Sequence, residues 1–362
     1  MSNSNEPLID DERRKELEEF DNTKLGVKGL VDSGITRIPR IFLHPPESLM
    51  TGSDELDPTS QTDLIPVIDL SGSEPDLVDR VREASAKFGF FQVVNHGVPA
   101  SLLDRLIAAV KGFHELPPEE KCRNYRRETS GAGVGFFSNF DLFWSKAASW
   151  RDSLEIRLAP TPVDPDTIPE VCRQEVLEWD KEVKQLGERL MGLLSQGLGL
   201  NADRLKCGAY LGRRGMVGQY YPYCPEPNKT VGISSHTDPG ILTVLLQDQM
   251  GGLQVKHQGK WLDLRPLHGA LVVNIGDMLQ IISNDEYTSG EHRVLANPSS
   301  NARTSIAVFF SSGMNENWYG PLPELVSPEK PALYRQFQFS DFVTRFLTKE
   351  LEGKSMINLF RL

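Results

Sequence analysis

The sequence has 362 residues, with 39 Lys and Arg against 50 Asp and Glu, a formal net charge of −11. A hydrophobic fraction of 39% is too high for wholesale disorder, and the acidic balance argues against a nucleic-acid ligand, since a polyanion needs Lys and Arg to neutralise it. No apolar stretch reaches the roughly 18 residues of a membrane helix, so no membrane partner is expected. At about 150 residues per domain the length admits two domains, or one large barrel with helices.

The first twenty residues are polar and acidic and lack the pattern of a secretory signal. Cys122, Cys172, Cys207 and Cys224 are widely spaced with no C-x-x-C pair. Reduced thiols and a cytoplasmic location are therefore expected. In chain order, Asp10–Leu25 carries helical charge patterning, and Ser48–Asp63 reads as an exposed linker. Leu64–Leu70 is a short β-rich run, Leu77–Phe88 a helix and Phe90–Asn95 a strand. Pro99–Phe113 and Pro118–Tyr125 look helical. Lys121, Arg123, Arg126 and Arg127 read as a solvated face. Ser130–Trp150, rich in Gly and Phe, reads as a loop or irregular strand.

Glu175–Leu200 is the clearest helix: Val176, Trp179, Val183, Leu186, Leu190, Leu193 and Leu194 recur at three- and four-residue steps and share a face. From Arg214 to Ser312 short β-branched runs alternate with turn residues: VGQYY, ILTVLLQ, GLQVKH, KWLDL, ALVVNIG, MLQIIS, HRVLA and TSIAVFF. Close spacing of such runs predicts a jelly roll or small antiparallel barrel. From Tyr334 onward the tail reads helical.

Within that region His236-Thr237-Asp238 lies between two strand-like runs. In extended chain, residues i and i+2 point the same way, so His236 and Asp238 can face one point. His292 opens the strand HRVLA, far enough along an antiparallel barrel to return beside them. Two imidazoles and a carboxylate on one face of a metal form the facial triad of non-haem Fe(II) oxygenases, which leaves positions open. A lone His-x-Asp is more often a hydrogen-bonded strand end, so its companions matter. Arg303 and Ser305 share a face of the next strand, and a guanidinium with a hydroxyl suits a carboxylate. Tyr221 supplies a further donor one strand earlier. Arg303 taken alone would read as a surface charge.

The stretches YYPYCPEP, SSHTDPGILTVLLQD, GGLQVKHQGKWLDL, GALVVNIGDMLQIISND, EHRVLANP and RTSIAVFF, with LIPVIDLSG and FGFFQVVNHGVP upstream, resemble plant 2-oxoglutarate-dependent dioxygenases. They most resemble the subgroup named as homologues of aminocyclopropane-carboxylate oxidase. The resemblance runs from about Leu30 to about Glu350. It implies a mainly β fold with flanking helices, built on a distorted double-stranded β-helix (jelly roll) core. The corresponding division is an N-terminal extension over 1–62, an N-terminal dioxygenase module over 63–175 and a long helix over 176–205. The Fe(II)/2-oxoglutarate catalytic core then spans 206–325 and a helical tail 326–362.

Carried over residue by residue, the resemblance implies that His236, Asp238 and His292 hold Fe(II). Arg303 and Ser305 would take the far carboxylate of 2-oxoglutarate, assisted by Tyr221 and Gln219. Many relatives have Asn where Gln219 stands. The implied reaction is hydroxylation or oxidative demethylation of a small specialised metabolite or hormone. It consumes 2-oxoglutarate and O2, yields succinate and CO2, and uses ascorbate as reductant. By family register Phe309 faces the substrate pocket, and Phe136, Phe137, Phe140 and Phe143 are further pocket candidates, each with an ordinary core position as its alternative. The partner is a small molecule; a monomer is expected, with an oligomer left open.

Competing readings are an ethylene-forming, ascorbate-dependent aminocyclopropane-carboxylate oxidase, a non-catalytic small-ligand barrel, and a zinc hydrolase. The last would leave Arg303 and Ser305 unexplained. Gly131–Gly135 has the spacing G-x-G-x-G without the strand–turn–helix context of a nucleotide loop. His44, His257 and His268 are expected at the surface, and His96 and His114 in structural positions.

Overall fold

A computed structural model describes residues 11–49, 65–127, 133–206, 208–313, 318–347 and 353–362. Most of the linker expected at Ser48–Asp63, together with Leu64, Cys207 and the Gly131 end of the glycine-rich loop, lies outside the described residues.

Turn residues cut the β-rich sequence into short strands: β1 (Val67–Asp69), β2 (Phe90–Val94), β3 (Val134–Phe137), β4 (Asp152–Ala159), β5 (Arg213–Tyr221) and β6 (Val231–His236). β7 (Leu242–Gln247), β8 (Leu253–His257), β9 (Lys260–Asp263), β10 (Leu271–Ile275), β11 (His292–Leu295) and β12 (Arg303–Ser311) follow. Eight of them form one sheet in the order β1-β2-β10-β7-β12-β5-β4-β3, and a second sheet runs β6-β11-β8-β9. The strands of 63–175 therefore extend both edges of the sheet whose centre is built from residues after 206.

The two faces of the large sheet differ as period-2 alternation requires. Leu154, Ile156, Met216, Val244, Leu246, Ile306, Val308 and Phe310 point outward into the main core, against the helices Glu74–Lys87, Ala100–His114 and Arg173–Gly197. The long helix buries the expected stripe from Val176 to Leu194. Gly187 on that stripe has no alternative residue at this spacing, because a Cβ there would come within 2.6 Å of the Phe310 ring. The opposite face looks into a lumen closed by the smaller sheet. Phe90, Tyr221, Leu245 and Val272 of the large sheet meet Ile233, Leu253, Val255 and Val294 there. A third cluster seats the N-terminal helices Asp11–Asn22 and Gly26–Asp32 on Phe42, Leu142 and Trp150.

Several local expectations change. MLQIIS is not a strand: Asp277–Ile282 is a helix. All six of its residues are buried, so its apolar run carries no periodicity to separate the two forms. Asp152–Ala159 and Val231–His236 are strands that composition did not single out. Val134–Phe137 is the ordered strand inside the Gly- and Phe-rich segment. The tail begins with the short strand Phe337–Gln338 before the helix Phe339–Leu347. The basic run is not wholly solvated: Lys121 is 3% exposed and its Nζ donates to the His114 carbonyl, while Arg127 donates to Asp21. Nor is His44 a free surface residue, since it is half-buried with Nε2 3.2 Å from the Ala148 carbonyl.

Candidate active site

β6 ends at His236 and the chain turns through Thr237 to Asp238. The turn is pinned from the side: Thr237 Oγ1 donates to Asp277 Oδ2 at 3.0 Å, and the Asp277 N–H donates to the Asp238 carbonyl at 2.8 Å. Gly276 permits the approach, since a Cβ there would lie 2.2 Å from the Gly240 carbonyl oxygen. Antiparallel pairing of β6 with β11 sets His292 directly opposite His236, with ring centroids 4.1 Å apart.

The three side chains converge. Asp238 Oδ1 lies 3.6 Å from His236 Nε2 and 3.8 Å from His292 Nε2, and one donor atom from each residue falls within 4.8 Å of the others. At 3.6 Å the His–Asp pair is not the hydrogen-bonded strand end that was the simpler reading. Each histidine turns its other nitrogen to the backbone: His236 Nδ1 is 2.8 Å from the Ser234 carbonyl, and His292 Nδ1 is 3.1 Å from that of Gly290. A carbonyl only accepts, so the proton sits on Nδ1 and the Nε2 lone pair faces inward. Asp238 Oδ2 accepts from Thr243 Oγ1 at 2.6 Å and Asn274 Nδ2 at 2.8 Å, which leaves Oδ1 for the histidines.

Electrostatics favour the ligating forms. Burial, then the neighbouring His292, holds His236 well below the usual imidazole range and therefore neutral. Burial alone would raise Asp238, but the two imidazoles and the hydrogen bonds from Thr243 and Asn274 bring it below the ordinary carboxylate value. Two neutral imidazoles and one carboxylate on one side of a point fit a first-row divalent metal with open positions. Replacing Asn274 with alanine is expected to weaken iron binding about 10- to 100-fold by freeing the carboxylate to rotate. Competition with a chromophoric chelator measures this; unchanged affinity would mean that Asn274 does not orient Asp238.

Beside the triad, Arg303 is 2% exposed and meets only neutral groups. Its Nε donates to the Gly251 carbonyl at 2.6 Å, Nη1 to Ser305 Oγ at 3.1 Å and Nη2 to Gln247 Oε1 at 3.1 Å. The guanidinium lies over the Tyr221 ring, 4.8 Å from its centroid. Among the described residues no carboxylate stands within ion-pair distance of it. A buried cation lacking a counter-charge is costly, and the planar fork matches a carboxylate in two places. Gln219 is close by, accepting from Ser153 Oγ at 2.7 Å and paired in register with Ser305.

Sequence reasoning missed two members of this wall. Gln247 closes the strand ILTVLLQ opposite Ser305, and its Nε2 is buried with no partner among the described residues. Arg151 is 5% exposed, its Nε is likewise unpartnered, and its charge opposes protonation of His236. Strand register is the signal that finds Gln247, and it is not visible before the strands are paired; Arg151 lies just ahead of β4, outside the paired residues.

The phenylalanines separate. Phe309 is on the lumen face, in register between Gly215 and Thr243. Phe137 shares that face through its pairing with Ser153. Phe136 points the other way and packs on Phe113, His114 and Tyr125. Phe140 packs on Trp144 and Phe346, and Phe143 lies under Arg127 beside the N-terminal helices. Phe136 and Phe143 take the ordinary core positions that were their alternative: alternation turns Phe136 outward into the main core, and the irregular chain after Phe137 carries Phe143 to the N-terminal cluster. His96 and His114 bond to the backbone at Gly269 and Gly218.

Comparison with known proteins gives matches over most of the chain. The family model described as the 2OG-Fe(II) oxygenase superfamily matches residues 213–312, and that of the non-haem dioxygenase N-terminal region (in morphine synthesis) matches 65–178. The Arabidopsis thaliana protein 1-aminocyclopropane-1-carboxylate oxidase homolog 4 is 47% identical over 95% of this chain and 97% of its own. Homolog 3 of the same plant is 44% identical over 99% and 98%. JOX2, solved in complex with 2OG, Fe and JA, superposes with a TM-score of 0.80 at 32% identity, covering 93% of this chain and 97% of its own. The rice dioxygenase for auxin oxidation gives 0.69 at 28% identity, over 82% and 100%.

Proposed function

Since the chain belongs to the 2OG-Fe(II) oxygenase superfamily, we propose that His236, Asp238 and His292 hold its Fe(II) and that Arg303 and Ser305 grip the far carboxylate of 2-oxoglutarate. It is an oxidoreductase, a 2-oxoglutarate-dependent dioxygenase with a double-stranded β-helix fold, and Fe(II) and 2-oxoglutarate are its metal and cosubstrate. The observation that carries the residue assignment is the meeting of two Nε2 atoms and Asp238 Oδ1, each with its second polar atom tied away from the meeting point.

When bound, the iron activates O2 as 2-oxoglutarate is oxidatively decarboxylated to succinate and CO2, and oxidises a C–H bond of the substrate. The chain's own groups do the rest. Ser234 and Gly290 fix the histidine tautomers, and Thr243 and Asn274 fix the carboxylate. Arg303 orients the cosubstrate by its distal end, with Tyr221 beneath the guanidinium and Gln219 assisting from β5. The lumen walls, Phe309 and Phe137 among them, exclude water from the reacting carbon.

The substrate in this reading is a small specialised metabolite or hormone, hydroxylated or demethylated by a cytoplasmic, monomeric enzyme with ascorbate as reductant. No helix among the described residues is long and apolar enough to cross a membrane. JA and auxin, named with two solved relatives, are the first compounds to try. The test is succinate formation from 2-oxoglutarate with Fe(II) and ascorbate, alone and against a metabolite extract, with products screened for gain of one oxygen or loss of a methylene. Iron-dependent succinate is expected. Ethylene release from aminocyclopropane-carboxylate without 2-oxoglutarate consumption would favour the oxidase reading, and iron binding with no turnover the non-catalytic one.

A further inference from the structure

The lumen face of β4, β5, β12 and β7 is ordered in rows across the strands. The first row is Ser153–Gln219–Ser305–Gln247, which belongs to the cosubstrate clamp. The next is Glu155–Val217–Ala307–Leu245, and the third Arg157–Gly215–Phe309–Thr243. Thr243 is hydrogen-bonded to Asp238, so the third row leads from a candidate metal ligand along the lumen wall. At about 4.8 Å per strand, Gly215 lies about 10 Å from Thr243 and Arg157 about 14 Å.

The far end of this row carries charge that the oxygenase reaction does not use. Arg157 Nε lies 3.6 Å from Glu155 Oε1. Arg213 opens β5 one alternation from Gly215, and its neighbour Arg214 turns outward to Asp180 at 2.6 Å, so Arg213 faces the lumen. Glu155, Arg157 and Arg213 are all half-buried. Arg213 makes no ion pair with any described residue, although Glu155 and Arg157 both act on it electrostatically. Beside it the wall recedes: a Cβ at Gly215 would meet nothing within 4 Å. Two guanidiniums against one carboxylate leave a net positive charge facing space that no described residue fills, bordered by Phe309 and Val217.

We propose that Arg213, flanked by Arg157 and Glu155, is the subsite that recognises a carboxylate on the substrate, about 10 Å or more from the carbon presented to the metal. The proposal rests on the oxygenase reading of the lumen. Glu155 engages Arg157 and tempers the field, so that Arg213 is the guanidinium left to take an incoming carboxylate in its planar fork. Phe309 and Val217 supply the apolar wall along which the connecting part of the substrate lies.

The probes are 6-phenylhexanoate and its neutral isostere 6-phenylhexanamide, extended to the chains two methylenes shorter and longer. Affinities are measured anaerobically on the full chain loaded with Fe(II) and saturating 2-oxoglutarate, which keeps the acid out of the Arg303 clamp. The acid is expected to bind at least tenfold more tightly than the amide. Arg213→Met should abolish that preference while leaving the amide's affinity and the substrate-independent succinate rate as in the wild type, which also shows that the variant is folded. Glu155→Gln should strengthen acid binding. Equal binding of acid and amide, a preference that survives Arg213→Met, or no binding of either series while succinate still forms would each overturn the subsite. Loss of iron-dependent succinate formation in the wild type would instead overturn the oxygenase reading beneath it.

Discussion

Asp238→Ala is expected to remove iron-dependent succinate formation by on the order of a hundredfold or more and to leave little iron after anaerobic reconstitution. Asp238 is the anionic member of the donor set, so its loss leaves two neutral imidazoles that hold a divalent cation poorly. The change also strands two donors, because Thr243 Oγ1 and Asn274 Nδ2 both point at Asp238 Oδ2 inside a buried pocket. Leaving such donors unsatisfied costs about 1–3 kcal/mol of stability. Thermal unfolding of the apoprotein therefore accompanies the assay. Asp238→Asn keeps an acceptor for those donors and removes only the charge, so it separates the metal effect from the folding effect. Wild-type turnover in either variant would end the triad assignment.

Arg303→Met is expected to raise the KM for 2-oxoglutarate while leaving iron affinity where it was. Truncating one side of a buried charge pair costs about 2–5 kcal/mol, roughly 30-fold to several thousandfold in affinity. Arg303 touches Gly251, Ser305, Gln247 and the Tyr221 ring but none of the three candidate ligands. Asp238→Ala and Arg303→Met therefore fail in different measurements, iron content for the first and cosubstrate saturation for the second. Arg303→Lys retains the charge and loses the fork, so partial recovery is expected from it. An unchanged KM in Arg303→Met would place the cosubstrate carboxylate elsewhere.

The residues proposed to hold iron and 2-oxoglutarate were legible because they are chemically unusual and locally spaced. His236 and Asp238 are two apart at a strand end, and Arg303 and Ser305 two apart within a strand, and i, i+2 spacing in a strand-like run predicts a shared face without any knowledge of the fold. The stripe from Val176 to Leu194 was legible for the same kind of reason, since helical periodicity is written into neighbouring residues. Asp277–Ile282 differs from the expected strand because a short run that is buried on every side has no period to separate helix from strand.

Composition and local spacing by themselves determined the β-rich class, the long amphipathic helix and the donor types of the site. Only the tertiary structure decided which distant residues support them. Asn274 reaches Asp238, Gln247 reaches Arg303, and Arg213 comes to face Glu155 and Arg157 through strand pairings between segments far apart in the chain. It also decided that Phe136 and Phe143 pack in core clusters. The physical reason is that a strand's alternation records two faces but not which one will be enclosed. That choice depends on which hydrophobic surface the helices cover and which the second sheet closes over.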